Sequence, residues 1–482
     1  MMSTLRDFIK QYTTYSLGIA INRLASLLLL PLYTRFLTPA DYGVLDILMT
    51  SVVLLQPLFM LGIDTSVQIL FFSLKTKKQQ NDLVMTSLVL VAVFGGVCAL
   101  SGWLLAPTLA KGVLGNENYT IALRLLCFDM WLTGLLLLFR NNFRIRQQAL
   151  IYNFVTIGQV VLLAGFNIVL VVVQQLGVIG IVTGIVLADL VITGFSACLV
   201  LKQHLQLPTL TQTLPLLRLG LPLLPVSAMY WVLNWSDRVF LAKLSTFDEI
   251  GVYGIANRLA TSIGIFTLAV QLSWRPFALR IQSTPYARPL YATMPLYYFV
   301  GVGWIGLVIA AASPLLLQVF ATKAYMQATV LLTPLILAQA MYGAYYIFST
   351  GLEIVQRTYH ITWTVFLAAL VNTALNILLI PKLAALGASL ATALSYGLAT
   401  LCVGIVSQQL YPLPYDLRRL GGVTCCLLLS YGVMTGLFWY ESEYTTALRG
   451  ICVVLSGVVL LSFIGPELKM LWQRGSALLK QK

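Results

Sequence analysis

The chain has 482 residues with 59% hydrophobic side chains and only 10% charged ones, whereas soluble domains carry roughly a quarter charged residues. This composition excludes a water-soluble globule. The net charge of +14 is explained by cytoplasmic anchoring against anionic lipid headgroups, so it needs no nucleic acid as a partner.

Apolar stretches of about 20 residues recur along the chain, and each is long enough to cross a hydrocarbon core as a helix. The sequence therefore predicts an all-α, polytopic membrane protein with about fourteen transmembrane helices. In chain order the predicted spans cover residues 12–34, 42–63, 83–106, 119–139, 152–174, 178–201, 216–236, 250–272, 292–312, 328–350, 361–380, 384–407, 421–440 and 447–465.

The distribution of Lys and Arg orients these spans, because short basic loops resist translocation. With a cytoplasmic N-terminus, about 20 of the 30 basic residues fall in inside segments and about 7 in outside loops. Arg140, Arg144 and Arg146 belong to the inside set, and Arg238 belongs to the outside set beside Asp237, which is expected at the outer end of its helix. The predicted location is the cytoplasmic (inner) membrane, with both termini in the cytoplasm.

Two loops that each lead into a helix resemble one another: FLTPADYGVLDI (Phe36 to Ile47) and LSTFDEIGVYGIA (Leu244 to Ala256). About six predicted spans separate them, and an even number preserves direction through the membrane, as in a parallel repeat. The echo predicts an N-terminal six-helix bundle over 1–210, a C-terminal six-helix bundle over 211–410, and two additional transmembrane helices with a cytoplasmic tail over 411–482.

Neither a cofactor nor a metal ion is expected. All seven cysteines fall in apolar segments, and the two histidines, His204 and His360, have no partner at ligand spacing. No GxxxxGK[ST] motif occurs and no loop has room for a nucleotide-binding domain, so the chain is not expected to hydrolyse ATP. No catalytic residue is proposed, and the chain is not expected to be an enzyme.

Three stretches that span the chain resemble the Wzx-type polysaccharide and O-antigen flippases. They are LPLYTRFLTPADYGVLDIL (Leu30 to Leu48), the segment from Leu219 to Ala260 with WRPF at Trp274 to Phe277, and VNTALNILLIPKLAALGASLATALSYG (Val371 to Gly397). The resemblance implies the multidrug/oligosaccharidyl-lipid/polysaccharide exporter superfamily, with two six-helix bundles around a central cavity. It also implies translocation of a polyprenyl-diphosphate-linked oligosaccharide from the inner to the outer leaflet, with membrane lipids and other polysaccharide assembly proteins as further partners.

Such a substrate needs cations inside the membrane, where each charge costs roughly 2.5–3.5 kcal/mol on insertion scales. Arg23 with Asn22 lies in the first predicted span, and Arg258 with Asn257 lies in the eighth. Guanidinium groups match phosphate oxygens and stay charged, so the hypothesis is that both arginines hold the diphosphate. The alternative is a structural pair with a buried acid, or snorkelling to the interface.

Further candidates lie on other spans. Arg124, nearer a helix end, is a weaker substrate-binding candidate, and Asn376 shares a helix face with Asn372 and either binds sugar hydroxyls or joins two helices. Asp129 and Asp189 are candidate counterions, or carriers of a proton coupled to transport.

Three other functions stay open. One is a sister transporter, either a peptidoglycan-precursor flippase or a cation-coupled drug exporter. The second is an intramembrane glycan polymerase or ligase, from which a long catalytic outer loop would be expected. The third is a scaffold that does not transport.

Overall fold

A computed structural model describes residues 29–203, 211–357, 359–438 and 444–479. In these ranges the secondary structure is helical and contains no strand. Ten helices there are long and apolar enough to cross a membrane, or eleven if the bent pair over 213–244 is one span. The prediction of an all-α, polytopic membrane protein is confirmed, whereas the count of about fourteen spans stays a prediction.

Contacts between Cα atoms divide the chain into two compact units, Met1–Trp231 and Val232–Lys482. The division of 1–210, 211–410 and 411–482 is not tested by this and stays a prediction. The α-helices of the first unit are α1 (Leu30–Phe36), α2 (Pro39–Met60), α3 (Ile63–Ser73), α4 (Lys77–Leu109), α5 (Thr120–Ile145), α6 (Ala149–Asn167), α7 (Gly177–Gln203) and α8 (Thr213–Gly220).

The next helix, α9 (Leu224–Leu244), begins in the first unit and carries the boundary between the two. The remaining α-helices are α10 (Phe247–Ala260), α11 (Gly264–Ile281), α12 (Ala287–Tyr298), α13 (Trp304–Ala311), α14 (Ser313–Phe320), α15 (Ala328–Ile354), α16 (Tyr359–Leu410), α17 (Leu417–Leu437) and α18 (Thr445–Leu479).

Several predicted spans are less regular than expected. The predicted span 250–272 is interrupted by a 3-10 turn between α10 and α11, and 292–312 contains a π-helical turn between α12 and α13. The short helix α3 occupies a segment that was expected to be a loop. The predicted break between 361–380 and 384–407 lies within α16, where Ala384 has non-helical φ 46° and ψ −128° just after Pro381.

The two echoing loops are helix starts of the same kind. Thr38 accepts a hydrogen bond from the backbone N–H of Asp41 at 3.1 Å, and Thr246 accepts one from the N–H of Glu249 at 3.3 Å. Each threonine is thus the N-cap of its helix, with an acidic residue in the first turn, where it offsets the helix dipole. The shared sequence pattern is explained locally by this capping.

One close backbone approach positions α8 against the junction of α2 and α3. Gly62 has φ +67°, and a Cβ added there would lie 2.4 Å from the carbonyl oxygen of Gly220. A Cβ on Gly220 would lie 2.3 Å from the carbonyl oxygen of Leu61. Only glycine fits at these two positions, and the contact anchors α8 within the first unit.

Candidate functional site

A network of polar side chains lies inside the first unit, and its centre is Asp189 on α7. Thr133 on α5 donates a hydrogen bond to Asp189 Oδ2 at 2.8 Å, and Gln159 on α6 donates to Asp189 Oδ1. The Arg140 guanidinium on α5 donates to Gln159 Oε1 at 2.6 Å. Three membrane-length helices are therefore joined by polar bonds around one carboxylate that is only 3% exposed.

Asp129 lies one turn before Thr133 on the same helix face and is 4% exposed. Its Oδ1 has no hydrogen-bond partner among the described residues, and the same holds for Nε of Arg140. A buried carboxylate oxygen without a partner costs free energy unless the group takes up a proton or a cation. The arrangement is therefore a partly satisfied polar network. We call Asp129, Thr133, Arg140, Gln159 and Asp189 the α5–α7 polar network.

Arg140 was missed as a site residue, because the sequence assigned it to an inside loop after a span ending at residue 139. In the structure α5 continues to Ile145, so Arg140 is a half-buried helical residue. The signal that was available is its spacing of seven from Thr133, which places both side chains on one helix face. Beyond the span, Arg146 donates to Asn81 and Asn142 at 2.7 and 2.8 Å, and burial lowers the pKa of its guanidinium.

The second unit contains a buried ion pair, one member of which, Arg238, was expected in an outside loop. Arg238 Nη1 lies 2.8 Å from Asp237 Oδ1, and the two residues are 2% and 4% exposed. The guanidinium carbon lies 4.7 Å from the Trp235 ring centroid and 5.2 Å from that of Tyr253, whose hydroxyl donates to Asp237 Oδ2. Because α9 runs to Leu244, neither residue is in a loop, and pairing makes their burial possible.

The structure describes only some of the proposed diphosphate-binding residues. Arg258 and Asn257 lie in the last turn of α10 and are half-buried. The 3-10 turn begins three residues after Arg258, so Arg258 lies near the C-terminus of α10, within the predicted span 250–272. Arg23 and Asn22 lie outside the described residues. The hypothesis that both arginines hold the diphosphate therefore stays a prediction.

Two other candidates make local contacts. Arg124 Nε donates to the carbonyl oxygen of Trp103 at 3.4 Å, and its guanidinium carbon lies 5.5 Å from the Trp103 ring centroid. Asn376 donates from Nδ2 to Asn372 Oδ1 at 3.0 Å, and both amides are buried. Nδ2 of Asn372 and Oδ1 of Asn376 have no partner among the described residues, so this pair retains hydrogen-bonding capacity.

A row of polar side chains that the sequence did not single out as a group lies on α15. Gln339, Tyr342 and Tyr346 are half-buried, whereas their neighbours Ala340, Met341, Gly343, Ala344 and Tyr345 are buried. The Tyr342 and Tyr346 hydroxyls are 2.7 Å apart and hydrogen-bonded. The Tyr342 ring also packs edge-on against Tyr396 of α16 at 5.2 Å, and the Tyr396 hydroxyl donates to Asn234 Oδ1. We call Gln339, Tyr342 and Tyr346 the tyrosine stripe.

A groove of about 950 Å³ lies within the second unit and is bordered by α15, the second half of α16, and α17. The residues that α15 contributes are Thr333, Pro334, Leu337, Met341 and Phe348. At 3.6 residues per turn, they lie roughly 160° around the helix from the tyrosine stripe. The helix α15 thus separates an apolar surface from a polar one.

No group of three His, Cys, Asp or Glu side chains that could hold a metal ion occurs among the described residues. The absence of a metal site stays an expectation for the whole chain.

Solved structures give several likenesses at low identity, which concern the fold. The structure titled lipid II flippase MurJ, inward closed conformation, matches with a TM-score of 0.72 and 14% identity over 94% of this chain and 99% of that one. An inward-facing multidrug resistance MATE family transporter of the MOP superfamily matches at 0.68 and 11%, over 86% and 99%. A MOP superfamily transporter from Pyrococcus furiosus matches at 0.56 and 13%, over 87% and 96%.

A search of the curated proteins finds no match. The family model described as polysaccharide biosynthesis protein matches residues 8–282, which is more than half of the chain. Its match includes the first two stretches that carried the resemblance to flippases. The fold, the membrane-length helices and this match agree: the chain is a multi-pass membrane protein that belongs to the polysaccharide biosynthesis protein family.

Proposed function

We propose that this protein translocates a polyprenyl-diphosphate-linked oligosaccharide, the repeat unit of a surface polysaccharide, from the inner to the outer leaflet of the cytoplasmic membrane. It does so by alternating access, without catalysing a covalent reaction, and with both termini in the cytoplasm. Family membership and the MOP superfamily fold support a transporter of this kind.

The observation that carries the proposal is the α5–α7 polar network. Asp129, Arg140 and Asp189 lie inside helices that are long and apolar enough to cross a membrane. Ionisable groups in such helices are costly and are retained where a polar substrate or a coupling ion passes. A chain that served only as a membrane scaffold would gain nothing from partly satisfied charges in these helices.

We assign two roles to the charged groups. Arg258, together with Arg23, holds the diphosphate, because planar guanidinium groups bind phosphate oxygens in pairs. Asp129 and Asp189 exchange a proton or a cation during the cycle, because the α5–α7 polar network is not fully satisfied in one charge state.

The test is export of surface glycan in cells whose own flippase gene has been deleted and replaced by a gene for this chain. The double variant Arg23→Ala/Arg258→Ala should abolish surface glycan while protein remains at its normal level in the membrane. The matched control is Arg418→Ala, which removes an exposed guanidinium at the start of α17 and should leave export intact. A fully active double variant would refute the assignment of the diphosphate site.

A second candidate, translocation of a peptidoglycan precursor, is favoured by one observation. The fold agrees with that of MurJ over 94% of this chain, and that protein is titled a lipid II flippase. Rescue of cells depleted of their peptidoglycan-precursor flippase, without rescue of surface glycan, would favour this candidate over the first.

A further inference from the structure

We infer that the tyrosine stripe of α15, with Asn234 and Tyr396 beside it, contacts the sugar head of the transported lipid and determines which glycans are accepted. This inference rests on the proposed function. It adds a second element to it, because the arginines recognise the diphosphate that all such substrates share, whereas the stripe would recognise the part that differs.

The first step of the argument is the exposure pattern along α15. Of the fifteen residues from Ala338 to Leu352, eleven are buried; Phe348 is half-buried on the groove side, and Gln339, Tyr342 and Tyr346 share the other half-buried face. Their spacing of three and four residues places them in line along the helix. Half-buried tyrosines present both an apolar ring and a polar hydroxyl, which is the character of a sugar ring, with its C–H faces and hydroxyl rim.

The second step is that the stripe is held in a defined geometry. The two hydroxyls are hydrogen-bonded to each other, and the Tyr342 ring is fixed by edge-on packing against Tyr346 at 5.1 Å and Tyr396 at 5.2 Å. Tyr396 is in turn bonded to Asn234 on α9. Preorganised donors and acceptors lose little entropy when a ligand binds, so such a surface favours one arrangement of hydroxyls over another.

The third step is charge. The stripe contains no ionic side chain, and the guanidinium beside Asn234 is already paired: Arg238 Nη1 donates to the Asn234 carbonyl oxygen at 3.3 Å and lies 2.8 Å from Asp237 Oδ1. Phenol and amide groups can both donate and accept, which matches a hydroxyl, whereas a phosphate accepts only. The surface therefore fits a neutral, hydroxyl-rich head better than an anion.

The fourth step excludes a purely hydrophobic role for this face. The apolar groove lies on the opposite side of α15, where Leu337, Met341 and Phe348 line it. Hydrocarbon contact on α15 is thus provided elsewhere on the helix, and tyrosine hydroxyls would add nothing to it.

The experiment compares two probes on the purified full-length protein in nanodiscs: geranylgeranyl diphosphate, and the same lipid carrying a diphosphate-linked oligosaccharide from the host's surface glycan. The variant is Tyr342→Phe/Tyr346→Phe, which removes two hydroxyls and keeps both rings. Binding of the sugar-bearing probe should weaken about thirtyfold, since two lost hydrogen bonds at roughly 1 kcal/mol each amount to about 2 kcal/mol, while binding of the sugar-free probe stays within about twofold.

The matched control is Tyr345→Phe, which makes the same chemical change on the same helix. Tyr345 is buried, its hydroxyl donates to the Ile361 carbonyl oxygen at 3.0 Å, and its ring, which packs edge-on against Tyr346 at 5.8 Å, is kept by the substitution. This variant should bind both probes like the wild-type protein. Equal weakening of both probes by the double variant, or no weakening of either, overturns the role of the stripe while the proposed function stands. If the wild-type protein binds neither probe, the proposed function fails and the inference fails with it.

Discussion

The two units of the chain hold buried charge in different ways. In the second unit, Asp237 and Arg238 form a closed pair at 2.8 Å that is covered by the rings of Trp235 and Tyr253. In the first unit, Asp189 reaches Arg140 only through Gln159, and Asp129 Oδ1 has no partner among the described residues. A closed pair satisfies both of its charges and is a structural element, whereas an open network leaves buried polar atoms that the proposed coupling role would use.

The largest effect is expected at the closed pair, where substitution of one partner tests whether the second unit depends on the pair for stability. Arg238→Met leaves the Asp237 carboxylate buried without its cation, which should lower the free energy of unfolding by about 3–5 kcal/mol. The double variant Asp237→Asn/Arg238→Met keeps an acceptor for the Tyr253 hydroxyl and removes both charges, so it should recover most of the loss. The measurement is thermal unfolding of the purified protein in detergent, together with its level in the membrane.

The stabilities of the single and double variants show whether the Asp237–Arg238 pair has a structural role. A single variant as stable as the wild-type protein would mean that the pair is hydrated and does not need its partner, and the contrast with the first unit would disappear. A double variant as unstable as the single one would mean that packing of the long Arg238 side chain, and not its charge, is what matters.

The contrast is sharpened by neutralising the open network, where we expect a change in transport with little change in stability. Asp129→Asn removes a carboxylate whose Oδ1 is unpartnered, so the free energy of unfolding should stay within about 1 kcal/mol of the wild-type value or rise. Export driven by a pH gradient in proteoliposomes should become independent of that gradient. The control is Glu117→Gln, which neutralises an exposed carboxylate paired with Lys111 and should leave export unchanged.

An Asp129→Asn protein that unfolds readily and transports normally when folded would assign Asp129 to structure, and the two units would then hold charge in the same way. Unchanged stability with unchanged dependence on the gradient would remove Asp129 from the coupling site and leave Asp189 as the remaining candidate.

The sequence predicted the helical membrane fold and the family well, because both depend on hydrophobic length and on motifs that are local along the chain. It singled out Asp129 and Asp189 as candidate counterions or proton carriers, since an ionisable group in a span needs a partner or a function, and the structure shows both to be buried. It did not find Arg140 or Arg238, because each lies within a turn or two of a predicted boundary, and the end of an apolar stretch does not mark the end of a helix that continues with polar residues.

The tyrosine stripe could not be predicted from the sequence either, for a different reason. Tyr342, Tyr345 and Tyr346 look alike in a hydropathy profile, yet in the structure Tyr345 is buried with its hydroxyl bonded to the Ile361 carbonyl oxygen, whereas Tyr342 and Tyr346 are half-buried. All three lie within α15, which is long and apolar enough to cross a membrane. Tertiary contacts, which composition and periodicity do not contain, separate these roles.

The smallest expected effect tests whether the α5–α7 polar network is held together by its hydrogen bonds. Thr133→Val removes the donor to Asp189 Oδ2 and keeps the side-chain shape, so the free energy of unfolding should fall by about 1 kcal/mol. Thr193→Val is the matched control, because Thr193 lies one turn after Asp189 on α7 and its buried hydroxyl has no partner among the described residues. That substitution should be neutral or slightly stabilising in the same thermal unfolding measurement. Equal losses in both variants would mean that the hydroxyl of Thr133 contributes no more than a valine methyl group, and that Asp189 is oriented by Gln159 alone.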